Sequence, residues 1–288
     1  MENLRGIAFM LVAMVFFAIA DMFIKMTGGR LPTSEVIFLM GVVGTIVFAI
    51  WTGLRREPLF SMDVFDRAVL LRNFGEILGT LGFVTALILI PISSASAIIQ
   101  ATPLAVTLGA ALFMGESVGW RRWSAIFVGL VGVLMIIQPG TDAFRLESLF
   151  AVQGMIGLTI RDLAMRATPA RISTVRLSAY GFAALVVAGL VFSFFNGPMI
   201  VPSSLDLWLM TGASLFAIVG VYGITAAMRL GDVAVVAPFR YSRIVFALII
   251  GYYAFGENPN MIMLIGVVIV VASGLYTFAR EHRQNAAT

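Results

Sequence analysis

Cysteine is absent from the 288 residues, and the single histidine, His282, lies in a polar tail. Disulfides and thiolate metal sites are thereby excluded, and histidine acid–base chemistry nearly so. Without cysteine, the redox compartment leaves no mark on the chain. Charge is scarce too: Asp, Glu, Lys and Arg make up 12% of the sequence, against about 25% in soluble domains. No GxxxxGK[ST] loop occurs, so the chain has no nucleotide-driven engine of its own. No cofactor motif or metal-ligand spacing occurs either.

What remains is apolar. Hydrophobic residues reach 60%, and mean hydropathy is +1.00. Ten segments are apolar enough to be marked, at roughly 4–26, 35–54, 68–90, 94–114, 122–138, 146–167, 173–195, 206–229, 233–255 and 261–279. Apolar stretches of about 20 residues cross a bilayer as helices, because lipid cannot hydrogen-bond an open backbone. The short alternating strands of a membrane barrel are missing. The expected fold is therefore an all-α integral membrane protein with ten transmembrane helices. The first segment is too long for a signal-peptide core and shows no small-residue cleavage site, so it reads as a span.

The basic pI, near 9.8, needs no nucleic-acid partner. Arg5, Arg55, Arg56, Arg67, Arg121, Arg122, Arg171, Arg229, Arg280 and Arg283 fall at the termini and in alternate loops, whereas Arg30 and Arg145 occupy the others. The positive-inside rule then expects both termini in the cytoplasm. Trp51, Trp120, Trp123 and Trp208 stand at span ends, where tryptophan anchors helices to the interface.

The chain also repeats itself. A shift of 141 residues, the separation of Asp21 and Asp162, also superposes Lys25 on Arg166 and Thr27 on Thr168. It aligns Gly79 with Gly220, Gly82 with Gly223, and Gly115-Glu116 with Gly256-Glu257, without an insertion. Each repeat, 1–141 and 142–288, holds five spans. An odd number inverts the second half in the membrane, giving two inverted-topology five-helix repeats. Secondary transporters are often built this way, with the substrate site near the midplane between the repeats.

The run "LGFVTALILIPISSASAIIQATPLAVTLGAALFMGESVGWRRWSAIFVGLVGVLMIIQPG" (81–140) resembles the EamA family of the drug/metabolite transporter superfamily. The alanine-rich entry to span four, Pro103, "GES", "RRW" and "GLVGVL" carry the likeness. "YGITAAMRLGDVAVVAPFRYSRIVFALIIGYYAFGEN" repeats it more loosely in the second half. The resemblance implies a small-molecule carrier, such as the YddG-type bacterial amino-acid and metabolite exporters. Relatives of other substrates move nucleosides, riboflavin, S-adenosylmethionine or drugs. The chain departs from the family around Glu35, which lacks an arginine early in span two, while Arg176 supplies one in span seven.

Charges inside spans are expensive and mark function. Arg240 and Arg243 lie in segment nine, Arg72 and Glu76 in segment three, Arg161 and Asp162 in segment six. By the expected topology all belong to the inner half. They are expected to form a cytoplasmic gate in which Glu76 and Asp162 face Arg72, Arg240 and Arg243. The alternative is a static cluster that glues helices together. Asp21 and Lys25, four residues apart on one helix face, are candidates for the matching outer gate, against the plainer reading of a local salt bridge.

Pro103 and Pro238 interrupt the helical ladder of spans four and nine. Paired interruptions point to a transporter site. Gln100 and Tyr241, repeat partners, sit beside them. With Phe17, Thr80 and Tyr222 they are expected to line a cavity for an amphiphilic zwitterion, its carboxylate held by Arg and Gln. Ordinary helix packing is the competing reading for each. The glycines of "GEILGTLG" (75–82) and "GLVG" (129–132) read as close helix contacts. "GES" and "GEN" read as turns, with Ser117 or Asn258 capping the next helix.

The function expected is a secondary transporter in a bacterial inner membrane that exports amino acids, the hydrophobic ones first, or similar metabolites. Its partners are a small-molecule substrate and the lipid bilayer, with no cofactor and no nucleic acid. Asp21, Glu76 or Asp162 could carry a proton if transport is coupled. An intramembrane enzyme would need a Ser/Lys, paired Asp or His site, and Asp21 and Asp162 fall near opposite faces. A channel would more naturally be built around an axis between subunits.

Overall fold

The computed structural model of the chain describes residues 2–59, 61–115, 119–197, 199–230 and 233–285. Their regular secondary structure is entirely helical, with no strand among the described residues. The helices are α1 (Glu2–Met26), α2 (Thr33–Leu54), α3 (Arg67–Leu89), α4 (Ile92–Ile99), α5 (Thr102–Phe113) and α6 (Trp120–Ile137). They continue with α7 (Ser148–Ala167), α8 (Thr174–Asn196), α9 (Ser204–Leu230), α10 (Val233–Val236), α11 (Ser242–Phe255) and α12 (Met261–Asn285). Two 3₁₀ turns, Met62–Phe65 and Ala237–Tyr241, precede α3 and α11.

Among the described residues eight helical stretches are long and apolar enough to cross a membrane, counting Ile92–Phe113 as one. Two of the ten expected segments are not among them. Segment 146–167 is the helix α7, but Gln153, Arg161, Asp162 and Arg166 make it too polar. Segment 233–255 is broken into α10, a 3₁₀ turn and α11 around Pro238. Hydroxyls within the helices satisfy themselves: Thr45, Thr85, Thr159 and Ser214 each donate to the carbonyl four residues back. That keeps polar groups paired where lipid offers no partner.

The chain divides into two compact units. One comprises Met1–Met22, Ile90–Leu149 and Phe216–Thr288, the other Phe23–Leu89 and Phe150–Leu215. Each draws on both sequence halves.

In the second unit α2 runs antiparallel along α8. A Cβ at Gly41 would lie 2.7 Å from the Val186 nitrogen, one at Gly189 would lie 2.7 Å from the Phe38 nitrogen, and Phe48 stacks on Phe182 at 5.5 Å. The helices α3 and α7 cross as closely, with Gly75 against Arg161, Gly79 against Leu158 and Gly82 against Gly154. The glycines therefore do what "GEILGTLG" suggested. Small residues let backbones meet where apolar burial gives helices no preference over lipid.

In the first unit α6 and α12 pair in the same antiparallel way, with Gly132 against the Gly266 carbonyl and Gly129 against Ser273. There α1 packs on α9, with Ala13 against Gly223 and Phe17 against Gly220. Met10, Ala13, Met14, Ala227 and Val236 are buried at that contact. The turn after α11 uses Gly256 at φ 65° as its left-handed C-cap. The cap of α12 is Asn260, whose Oδ1 accepts from the Met263 amide at 2.8 Å. Asn258, the expected cap, instead donates to the Gly256 carbonyl. It stands two residues before Asn260, too early to reach the first free amides of α12. Glu116, Ser117 and Asp232 lie outside the described residues.

The link between α2 and α3 is tied down by charge. Asp63 accepts from the Ser61 hydroxyl at 2.8 Å, from Arg171 at 2.8 Å and from Arg176 at 2.8 Å. Ser173 caps α8 and its hydroxyl also bonds the Glu57 carboxylate. The Ser61 hydroxyl and then the two arginines hold the Asp63 carboxyl down at about 2, from an ordinary 3.8. A carboxyl lowered in the folded state adds stability above its unfolded pKa and loses it as pH falls through the folded one. Amide exchange across residues 61–66 is therefore expected to be slow at pH 7 and to speed up, beyond the intrinsic pH effect, between about pH 4 and pH 2. Asp63→Asn should show the fast exchange already at pH 7. Equal exchange in both proteins would mean that the carboxylate does not order the loop.

Candidate functional site

The two interruptions anticipated at Pro103 and Pro238 belong to the first unit and touch. The helix α4 stops at Ile99, and Thr102 opens α5 with Pro103 in its first turn. Proline carries no amide to continue the ladder, and its ring crowds the preceding turn. The other interruption is the 3₁₀ turn Ala237–Tyr241, with Pro238 near its start. Between them Gln100 donates its side-chain amide to the Arg240 carbonyl at 3.0 Å. A broken helix exposes carbonyls, and one of these is answered from the other break.

One turn onward Arg243 opens α11. Its Nη2 donates to both carboxylate oxygens of Asp21, at 2.9 and 2.6 Å, and its Nε to Oδ2 at 3.2 Å. The guanidinium also lies over the ring of Phe17, 5.1 Å from its centre. Asp21 is only 3% exposed. At 3 Å in a medium of effective dielectric about 20, opposite charges attract by about 5 kcal/mol, enough to offset much of the desolvation each suffers.

Arg243, expected at the cytoplasmic gate, binds Asp21 within the first unit, whereas Glu76 and Asp162 belong to the second. The 3₁₀ turn before Arg243 rises about 2.0 Å per residue rather than 1.5 Å, which carries it further along the segment than an α-helix would. Lys25 donates to the Leu87 carbonyl at 3.1 Å, covering the free end of α3.

Arg72, Glu76, Arg161 and Asp162 lie in the second unit and come together. Glu76 accepts from Arg72 at 3.3 Å and from Arg161 at 3.5 Å, and Arg161 holds Asp162 at 2.8 Å. Arg72 also donates to Asn73. Two arginines and two carboxylates make a neutral cluster across α3 and α7, at the start of one helix and the end of the other. Arg240, also expected at the gate, is exposed and belongs to the first unit.

Of the expected cavity residues, Phe17, Gln100, Tyr222 and Tyr241 belong to the first unit and Thr80 to the second. Phe17 and Gln100 are at the ion pair and the breaks. Tyr222 is about half exposed on α9. Tyr241 is buried, and its hydroxyl abuts Gly274 of α12 with no hydrogen-bond partner. Glu35 accepts from the Ile200 amide at 3.0 Å, and Arg176 bonds Asp63 and Tyr180. No group of acidic or histidine side chains among the described residues could hold a metal ion.

Sequence reasoning missed one prominent residue. Glu257, read as part of a turn, sends its carboxylate to the start of α4. It accepts from the Ile92 amide at 2.6 Å, the Ser93 amide at 3.1 Å and the Ser93 hydroxyl at 2.6 Å. The signal was present: an acid follows glycine at the same place in both repeats.

Known proteins agree with this architecture. The EamA-like transporter family matches residues 4–138 and again 146–279. The S-adenosylmethionine uptake transporter of Rickettsia prowazekii is 26% identical, over 97% of this chain and 94% of its own. The pseudopaline exporter CntI of Pseudomonas aeruginosa is 26% identical, over 93% and 94%. The riboflavin transporter of Vibrio cholerae is 25% identical, over 94% and 91%. One protein of solved crystal structure shares the fold with a TM-score of 0.66 at 17% identity, over 98% of this chain and 99% of that one. These matches name transporters, not enzymes, and the helical multi-span fold needs a lipid bilayer around it. The chain belongs to the EamA-like transporter family.

Proposed function

We propose that the chain is a secondary transporter that moves amino acids, hydrophobic ones first, or similar small zwitterions across a bacterial inner membrane by alternating access. The observation that carries this reading is the meeting of two interrupted helices at Gln100 and Arg240, with a forked arginine one turn away. Broken helices at corresponding places in two repeats supply the polar backbone and charge that a midplane site needs. An arginine fork suits a carboxylate, and Phe17 offers an aromatic wall.

The same reading takes the chain as ten crossings in two inverted repeats, 1–141 and 142–288, with both termini cytoplasmic. Three observations support it. The family matches each half separately. The pairs α2–α8 and α6–α12 run antiparallel. The crossing of Gly82 with Gly154 and the Phe150 carbonyl recurs, 141 residues displaced, as Gly223 with Ala13 and the Phe9 carbonyl. The Arg72–Glu76–Arg161–Asp162 cluster is then the cytoplasmic gate, closed by ion pairs between α3 and α7.

The alternative substrate is S-adenosylmethionine, favoured by likeness along nearly the whole chain to an uptake transporter of that compound. As a methionine derivative it presents the same α-amino carboxylate. Flux in proteoliposomes holding only this protein separates the readings. Labelled phenylalanine, methionine, S-adenosylmethionine, a nucleoside and riboflavin are offered with and without a pH gradient. Saturable flux of the amino acids is expected, and Gln100→Ala should reduce it about tenfold, since losing one well-placed hydrogen bond is worth about 1–1.5 kcal/mol. Flux of S-adenosylmethionine alone selects the alternative. Flux of only the nucleoside or riboflavin overturns both.

A further inference from the structure

Burying Asp21 and Arg243 together does little for the fold. A buried ion pair is a poor source of stability, because two desolvated charges are easily bettered by packed hydrocarbon. Here the two partners are also unequally covered. The Asp21 side chain is 4% exposed and that of Arg243 17%. A solute therefore meets the guanidinium before the carboxylate. The fork that Arg243 gives Asp21 is also the one a substrate carboxylate would need.

We propose that Asp21 is an exchangeable counter-ion: a substrate carboxylate takes over the Arg243 fork, and Asp21 leaves it by accepting one proton. The proposal rests on the reading of the chain as a carrier of α-amino carboxylates. Before binding, the site holds one carboxylate and one guanidinium and is neutral. Afterwards the fork holds the substrate carboxylate, Asp21 is a neutral acid, and the complex carries only the single positive charge of the substrate's ammonium group. One proton enters from the solution with each carboxylate bound. Without that proton Asp21 would be left as a second carboxylate beside one occupied guanidinium in a poorly solvated place, which desolvation opposes. Only the substrate's ammonium turning onto Asp21 could replace the proton, and binding without proton uptake would show that and overturn the exchange.

The surroundings leave Asp21 little other choice. Around this part of α1 pack α9, α10, the 3₁₀ turn and α11. Their ionisable groups near this level are Arg243 and Arg240 with Tyr241 on the broken segment, and Tyr222 on α9. Asp206 and Arg229 stand at the two ends of α9, and Asp206 pairs with Arg30. Lys25, one turn beyond Asp21 on α1, donates to Leu87. Among the described residues no second acid stands on these elements at this level to take the proton instead.

The test uses the full chain in lipid nanodiscs, with phenylalanine, methionine and S-adenosylmethionine as carboxylate probes. Phenylalaninamide and riboflavin are the controls without a carboxylate. Binding is measured from pH 5.5 to 8.5, with proton uptake followed by an indicator dye. In the wild-type protein the Kd of a carboxylate probe should tighten about tenfold per pH unit of acidification where Asp21 exchanges, with one proton taken up per molecule bound. Asp21→Asn should bind at least as tightly, with no pH dependence and no proton uptake. Arg243→Gln should bind the acids about ten- to hundredfold more weakly. Should a single variant fail to fold, Asp21→Asn with Arg243→Gln removes both charges, and should fold but not bind the acids. Carboxylate binding that is flat with pH in the wild type overturns the exchange and leaves the carrier reading intact. Equal binding of phenylalanine and phenylalaninamide does the same. Binding of riboflavin alone, or of none of the probes, overturns both.

Discussion

Glu257→Ala is expected to destabilise the protein by about 2–3 kcal/mol, the range for losing hydrogen bonds to a charged acceptor. The carboxylate accepts from two main-chain amides at the start of α4, Ile92 and Ser93, and also from the Ser93 hydroxyl. Helix starts leave amides without intrahelical partners, and an anion there also faces the positive end of the helix dipole. Water could replace the carboxylate at a soluble helix; beside lipid it cannot be counted on. The main chain is shaped for this reach. A Cβ at Gly251 would come within 2.6 Å of the Glu257 carboxylate, so glycine there leaves the acid room to fold back over α11. Glu257→Gln keeps one acceptor oxygen and should lose about half as much. Ser93→Ala should lose about 1 kcal/mol, one neutral hydroxyl bond. Thermal unfolding in one detergent ranks the three variants. An Ala variant melting within a degree of the wild type would mean that lipid or water caps α4 unaided. Because α4 ends at Gln100 and the contact with Arg240, a loose start is also expected to reach the proposed site and lower flux before the protein unfolds.

Much of this architecture is legible in the residues themselves. Helix positions follow from apolar length alone. The breaks at Pro103 and Pro238 follow from a missing amide, and the close α3–α7 crossing from glycines spaced along one face. What fails to follow is pairing. Arg243 can be assigned a depth only by assuming a regular helix, and the 3₁₀ turn before it changes that depth. Its partner Asp21 stands 222 residues away on α1, a pairing that residue spacing cannot show. The Lys25 bond to Leu87 is hidden for a different reason: spacing shows which side chains share a face, not which main-chain carbonyl of another helix lies within reach. Tyr241 shows the same limit, since its repeat partner Gln100 is at the break while its own hydroxyl packs against Gly274. Glu257 is hidden because its partner amides are main-chain groups, which leave no trace in residue identity. Its recurrence beside a glycine in both repeats is the only sign, and a tight turn explains that sign just as well.

The second large effect is expected at Gly157, where even one methyl group has nowhere to go. An added Cβ there would overlap the Gly79 amide nitrogen and crowd the Gly79 Cα at 2.5 Å and the Leu78 carbonyl carbon at 2.7 Å. All three are main chain, so no rotamer change relieves the clash; α3 and α7 must separate. Overpacking of rigid cores costs about 1–3 kcal/mol, and Gly157→Ala belongs at the upper end. Gly79→Ala should be milder, because the Leu158 side chain, 2.9 Å away, can swing aside in part. Gly53→Ala is the control: nothing lies within 4 Å of its added methyl, so the helix should gain about 0.5–1 kcal/mol from the better helix former. Unfolding temperatures should therefore rank Gly53→Ala above wild type, then Gly79→Ala, then Gly157→Ala. If Gly157→Ala melts with the wild type, the two helices do not approach as closely as their glycines allow. The consequence for transport is separable from stability. Gly75, on the same face of α3, meets the Arg161 main chain, so the crossing also fixes the distance between Glu76 and Arg161. Separating α3 from α7 by even about 1 Å stretches an ion pair that already spans 3.5 Å. If the cluster is the gate proposed above, a Gly157→Ala protein kept folded at low temperature should leak substrate, whereas a Glu257 variant should slow transport without leaking.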